Sequence, residues 1–180
     1  VVARVRCQPG DTTLSGQIER LLQQKPDALV IFTAPKPAIA AVSALRRREA
    51  PVQVYTSYVL ADPILFRLAG DAWEGVITAS HLPLPDAKSP QVAAYRDALQ
   101  AFDSNIPQGS FTLSAMGYAM PLTEALHRAG PQLTRTAFIK ELEGLGRFTQ
   151  AGPHWPGQGI LPEVVFSSQR HDGAERMRLL

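Results

Sequence analysis

The chain has 180 residues, with 18 Lys and Arg against 16 Asp and Glu, 45% hydrophobic residues and 7% aromatics. A near-neutral chain of this composition has room for one domain, or one and a part, and disorder is excluded as its main state. The one basic run is Arg46-Arg47-Arg48 and no apolar run approaches the ~20 residues of a membrane span, so neither nucleic acid nor the bilayer interior is expected as its main partner.

Residues 1 to 7 alternate apolar and polar as a half-buried strand does, and Pro9-Gly10-Asp11 breaks the pattern. Leu14, Ile18, Leu21 and Leu22 then mark one stripe of a helix, with Asp11, Thr12 or Thr13 available to cap it. Residues 28 to 32 form a continuous apolar run, the pattern of a parallel strand covered on both faces. Ile39, Val42 and Leu45 give the next helix, whose negative end is closed by the three arginines as dipole partners. Residues 52 to 55 read as a strand, Asp62-Pro63 as a cap and first helical residue, Gly70 as a helix stop, and residues 75 to 79 as a further strand. Strands alternating with short helices imply βαβ units, so the first 80 residues are expected to form an α/β, Rossmann-like layer structure.

After His81 the pattern changes. Leu82-Pro83-Leu84-Pro85 is stiff, and three helices follow without a convincing strand between them. Ser89-Pro90 starts the first, with Val92, Tyr95, Leu99 and Phe102 inward. The second covers residues 113 to 129, with a kink expected near Pro121 and a stop at Gly130; Thr134 caps the third, which ends at Gly144. The chain closes with a hairpin expected to turn at Asp172-Gly173.

Signals for catalysis are sparse. The sequence holds no G-x-S-x-G, G-x-x-x-x-G-K-[ST], H-E-x-x-H or strand-borne G-x-G-x-x-G pattern. His81, His127, His154 and His171 are spaced too irregularly to form a metal site on one element, and each reads as a lone core or surface histidine. Glu141 and Glu143 face different ways, and Asp71 and Glu74 bracket Trp73 in a turn. Cys7 is the single cysteine, which excludes an internal disulfide or a Cys-based zinc site and reads as a small core residue. No cofactor or metal is implied.

Open α/β sheets bind ligands at the carboxyl ends of their parallel strands. Two loops there are unusual: Thr33-Ala34-Pro35-Lys36 and Thr56-Ser57-Tyr58. Together they would crowd hydroxyls and one aromatic ring on one sheet edge, which suits a small organic solute, although the same residues also serve as ordinary turn residues. The candidate site is therefore Thr33, Ala34, Thr56, Ser57 and Tyr58.

A longer series of matches adds to this reading. Gly10-Asp11, Lys25-Pro26-Asp27-Ala28-Leu29-Val30, the run from Leu68 through Gly70-Asp71-Ala72-Trp73-Glu74-Gly75 to Ile77, the Ser89 to Leu99 helix, Gly117-Tyr118, Glu124-Ala125-Leu126-His127-Arg128-Ala129-Gly130-Pro131 and residues 142 to 148 appear in that order. Taken together the chain resembles the C-terminal half of a type I periplasmic solute-binding protein, the branched-chain amino acid and organic-acid receptor group of ABC transporters.

The resemblance implies a non-catalytic, periplasmic receptor that captures a small solute in an interlobe cleft and delivers it to a membrane permease. Residues 1–82 and 151–180 would belong to the second lobe, and residues 83–150 would pack on a first lobe that is otherwise absent. Were the 180 residues the whole molecule, the helical segment would expose an apolar face and two copies would be expected to pair through it. Val1 is not Met and the opening residues carry no leader pattern, so either the start has been removed or the chain begins inside a larger protein, and the resemblance implies a further α/β lobe upstream. In amino-acid-binding relatives an acidic side chain stands in the loop matching Thr56-Ser57-Tyr58; its absence here favours a neutral or anionic ligand. The alternative is a ligand-sensing domain of a receptor or regulator with the same fold.

Overall fold

The computed structural model describes residues 1–148, 160–174 and 176–180. In chain order the elements are α1 (Ser15–Leu22), β1 (Ala28–Ile31), α2 (Pro35–Arg46), β2 (Gln53–Thr56), α3 (Ile64–Ala69), β3 (Ile77–Ser80), α4 (Pro90–Phe102), α5 (Ser110–Ala129) and α6 (Arg135–Glu143). Four further strands follow: β4 (Gly146–Phe148), β5 (Val164–Ser167), β6 (Arg170–Ala174) and β7 (Arg178–Leu179). Short 3-10 turns occupy Tyr58–Leu60 and Gly70–Trp73. The chain divides into two compact units, Val1–Ser80 with Arg178–Leu180, and His81–Met177. His154 and Glu175 lie outside the described residues.

The first unit is the expected α/β structure. β1, β2 and β3 run parallel, and β7 adds antiparallel to β3, giving the order β1-β2-β3-β7. Parallel pairing requires crossovers, and α2 and then α3 supply them. Ile18 and Leu21 of α1, Ala38, Val42 and Leu45 of α2, Val54 of β2, and Leu60, Leu65 and Trp73 bury one continuous cluster. Gly70 ends α3 at φ +54, a left-handed conformation that glycine reaches without a Cβ clash.

Three local expectations are corrected here. Residues 1–7 are not a strand: they form no ladder, and only Ala3 and Cys7 pack against the core while Val1 and Val2 stand exposed. The apolar run at β1 is not covered on both faces, since Ile31 is buried but Val30 is 72% and Phe32 83% exposed. β1 pairs only with β2, which leaves its other edge and one face uncovered among the described residues. Finally, α1 starts after Leu14 with no side-chain cap, because the Asp11 carboxylate instead accepts the Gln8 N–H at 2.8 Å.

The arginines closing α2 act on named carbonyls. Arg46 donates to Ala72 O (3.2 Å) and Glu74 O (2.6 Å), tying α2 to the turn before β3, and Arg48 donates to Ala44 O (2.9 Å) at the negative end of its own helix.

In the second unit Ser89 and Thr134 cap α4 and α6 as the sequence predicts, accepting the Val92 and Ala137 N–H groups. Leu82, Val92, Tyr95, Leu113, Met120 and Ile160 form its buried cluster. The Tyr95 hydroxyl accepts the Gly109 N–H at 3.1 Å and pairs with Thr112 Oγ1 at 2.5 Å, pinning α4 to the start of α5. α5 continues through Pro121 to Ala129 and stops at Gly130 (φ +66). Gly117 is required by a close approach, since a Cβ there would lie 3.2 Å from the Leu161 side chain.

β4, β5 and β6 form an antiparallel sheet, and β4 was not expected from the sequence. The hairpin turns at residues 168–169, not at Asp172-Gly173. Gly173 sits inside β6 opposite Val165 at φ +78, beside a register shift between Val165 and Ser167, so its left-handed backbone serves an irregular ladder.

Candidate functional site

The register brings the two expected loops to one edge. Ile31 of β1 pairs with Thr56 of β2, so Thr33 and Tyr58 each stand two residues beyond a paired position, at the carboxyl ends of adjacent parallel strands. Thr33 is half-buried and its Oγ1 lies 3.2 Å from Cys7 Sγ. Ala34 is extended (φ −70, ψ 161) and leads into α2 with its backbone alone.

The first turn of α2 is a weak anion cradle. Pro35 and Pro37 carry no N–H, which leaves the Lys36 amide as the donor among the first three helical positions. The Lys36 ammonium is the one charged side chain in the two loops, and it is exposed.

The second loop divides its polar groups. Thr56 is buried and its hydroxyl pairs with Thr78 Oγ1 at 2.6 Å, so it is spent within the sheet. Ser57 is extended and half-buried, its carbonyl accepts the Leu60 N–H, and its side chain does not cap the turn that follows. Tyr58 opens that turn and is 41% exposed. A core role for its ring is thereby excluded. The structure thus gathers Thr33, Ala34, Ser57 and Tyr58 at one edge and withdraws the Thr56 hydroxyl.

Sequence reasoning did not place three further polar groups near this edge. Thr78 and Ser80 are buried at alternate positions of β3, a polar signal inside an otherwise apolar strand. Asp62 is buried, and its Oδ1 accepts the Ile64 N–H at 2.9 Å, which commits that oxygen to the start of α3.

In the second unit His81 is not a lone histidine. Its Nε2 lies 2.7 Å from Tyr118 Oη, and the two rings stack at 5.9 Å with 19° between planes. Burial lowers its pKa below the ordinary value, because the charged imidazolium is poorly solvated there. The imidazole is therefore neutral at neutral pH. Among the described residues no group of three His, Cys, Asp or Glu could hold a metal ion, and no helix is long and apolar enough to cross a membrane.

A sheet whose parallel strands end in short polar loops has the architecture of an open α/β fold, in which ligands, where they are bound, sit at that edge. Solved structures share the fold. A branched-chain amino acid ABC transporter protein from Thermus thermophilus with bound valine matches with a TM-score of 0.81 at 20% identity, over 97% of this chain and 47% of that one. A fatty acid ABC transporter substrate-binding protein from Thermomonospora curvata matches with a TM-score of 0.82 at 20% identity, over 96% and 43%. A solute-binding protein of an ABC transporter from R. palustris in complex with benzoate gives 0.71 at 16% identity, over 94% and 44%.

The chain spans less than half the length of each of these structures. No curated protein matches the sequence. The family model described as periplasmic binding protein matches residues 1–180, and the chain belongs to that family.

Proposed function

We propose that this chain forms part of a periplasmic receptor that captures a small organic acid and delivers it to the permease of an ABC transporter, without catalysis. The supporting observation is the shared sheet edge, where Thr33, Ser57 and the exposed Tyr58 ring stand at the ends of adjacent parallel strands. A flat ring beside hydroxyls accommodates an apolar body and one or two polar atoms.

Charge selects among solutes. Lys36 is the only charged side chain of the two loops, and the nearest carboxylate in sequence, Asp62, is buried and caps α3. A ligand ammonium would find no carboxylate in these loops, whereas a carboxylate would meet a cation. An aliphatic or aromatic acid fits this better than an α-amino acid. Similar proteins include one with bound valine, one in complex with benzoate and one described as a fatty acid ABC transporter substrate-binding protein, which supports a fold open to both acids and amino acids. In this reading residues 1–82 and 151–180 belong to one lobe, residues 83–150 pack on the other, and the loops supply one wall of an interlobe cleft.

Calorimetric titration with benzoate, octanoate and valine tests the reading. The acids should bind more tightly than valine, and Tyr58→Ala should weaken their binding by about 1–3 kcal/mol, the scale of a stacking contact plus a hydrogen bond. Unchanged affinity in that variant, or valine bound above both acids, would reject the assignment.

A further inference from the structure

Thr56 is the last residue of β2, and Ser57 and Tyr58 follow it without an intervening residue. Its Oγ1 lies 2.6 Å from Thr78 Oγ1, and both residues are buried. Thr56 and Thr78 are also the last paired position of the β2–β3 ladder, so this bond is the final lateral tie before the chain leaves the sheet. Thr78 in turn is fixed from its other side. Its N–H donates to Leu180 O at 3.0 Å and its carbonyl accepts the Leu180 N–H at 2.9 Å, which clamps its backbone to the residue that follows β7.

Stability alone does not account for the pair. Each hydroxyl brings one proton, and the two share a single hydrogen bond, so one proton is left without an acceptor among the described residues. A buried hydroxyl that is incompletely satisfied costs free energy, whereas two valines would fill the same shape with nothing to satisfy. What the hydroxyls add is direction. A hydrogen bond fixes two oxygens in distance and angle, and apolar contact carries no such preference.

We propose that Thr78 is a positioning residue for the ligand loop: its hydroxyl passes the fixed backbone of β3 to Thr56 and so sets where Ser57 and the Tyr58 ring stand. That role rests on the reading of this loop as one wall of an organic-acid site. Leu60, fully buried, holds the far end of the turn through its N–H on Ser57 O, and Thr56 holds the near end. Ser57 and Tyr58 lie between, so their freedom is set by how firmly each end is held. A loop already in place loses less freedom when ligand binds, and affinity rises accordingly. Thr78 touches no ligand in this account and acts only through Thr56.

Three variants of the 180-residue chain separate positioning from mere support: Thr78→Val, Thr78→Ser, and Thr56→Val combined with Thr78→Val. Backbone order parameters at Ser57 and Tyr58 and calorimetric affinity for benzoate and octanoate are read beside the melting temperature. Thr78→Val leaves the Thr56 hydroxyl buried without a partner and should lower all three, and Thr78→Ser should restore them. In the double variant the melting temperature should recover, because no buried hydroxyl remains to satisfy. The loop should not recover with it: order parameters are expected to stay below about 0.7, against about 0.85 for rigid backbone, and affinity about fivefold weaker, the worth of one hydrogen bond. A rigid loop or parental affinity in the double variant would overturn the proposal, since the pair would then serve stability alone. So would failure of Thr78→Ser to restore what Thr78→Val removes. A parent chain that binds neither acid counts against the reading of the site, and the order parameters then uphold or overturn the role of Thr78 without a ligand.

Discussion

In the sheet unit, α1, α2 and α3 bury one cluster running from Leu14 to Trp73, and the exposed apolar residues that remain are spread over residues 1–5, β1 and the adjoining Phe32, Tyr58, α3 and the chain end at Leu179 and Leu180. In the helical unit the buried cluster is smaller among the described residues, and α5 leaves Phe111, Tyr118, Leu122 and Leu126 exposed along one stripe. The stripe follows the 3.6-residue period, so the exposure belongs to one face and not to scattered positions. Stability in the first unit therefore rests on apolar burial, and in the second it leans more on specific polar pins such as the Tyr95 hydroxyl and the His81–Tyr118 pair.

That contrast can be broken by substitutions of graded severity. The largest effect is expected for Trp73→Ala, at about 3–5 kcal/mol in urea unfolding, because its side chain is fully enclosed by the first cluster. A loss below about 1 kcal/mol would mean the cluster collapses around the vacancy. In the second unit Gly117→Val should cost about 1–3 kcal/mol, since its branches would press into the Ile160 and Leu161 side chains.

Tyr95→Phe should cost about 1 kcal/mol by the same assay, the net worth of a buried hydrogen bond, while retaining the ring in the core. No loss would show that Thr112 Oγ1, itself 3.2 Å from Gly109 N, satisfies that amide alone. The smallest stability effect is expected at Tyr58→Ala, within about 0.5 kcal/mol, because that ring is exposed at the sheet edge.

Acid should act on the second unit through His81. Its folded pKa lies below the ordinary 6.5 of the unfolded chain, so the unfolded state takes up the proton first as pH falls. The stability it contributes is present above about pH 6.5 and is lost as pH drops toward the folded value. Thermal unfolding followed from pH 7.5 to 5 should therefore show a shallower decline for His81→Gln than for the parent chain; equal declines would place the acid sensitivity elsewhere.

Much of the fold is legible in the residues. Pro90 behind Ser89, Thr134, Gly70 and Gly130 are local signals whose chemistry acts within one turn, and they place helix ends correctly. Residues 1–7 lack a strand partner among the described residues and β4 takes one further along the chain, at β5, while the hairpin answers to its own ladder. Alternation at residues 1–7 states a preference that only a neighbouring strand can satisfy, and Asp172-Gly173 has turn chemistry that the β5 register overrides. At the site, strand-end loops are readable from the βαβ order, and the parallel register brings Thr33 and Tyr58 to one edge. The capture of the Thr56 hydroxyl by Thr78 and the His81–Tyr118 pair are contacts across 22 and 37 residues, which no local pattern encodes.

The central claim is that the strand-end loops of the sheet unit hold a small organic acid. Titrating the isotopically labelled chain with benzoate, octanoate and valine while following backbone amide chemical shifts tests it most directly. The account predicts saturable shifts for at least one acid at Thr33, Lys36, Ser57 and Tyr58, with smaller shifts for valine. Saturable shifts confined to other residues, or none with any of the three, would contradict it.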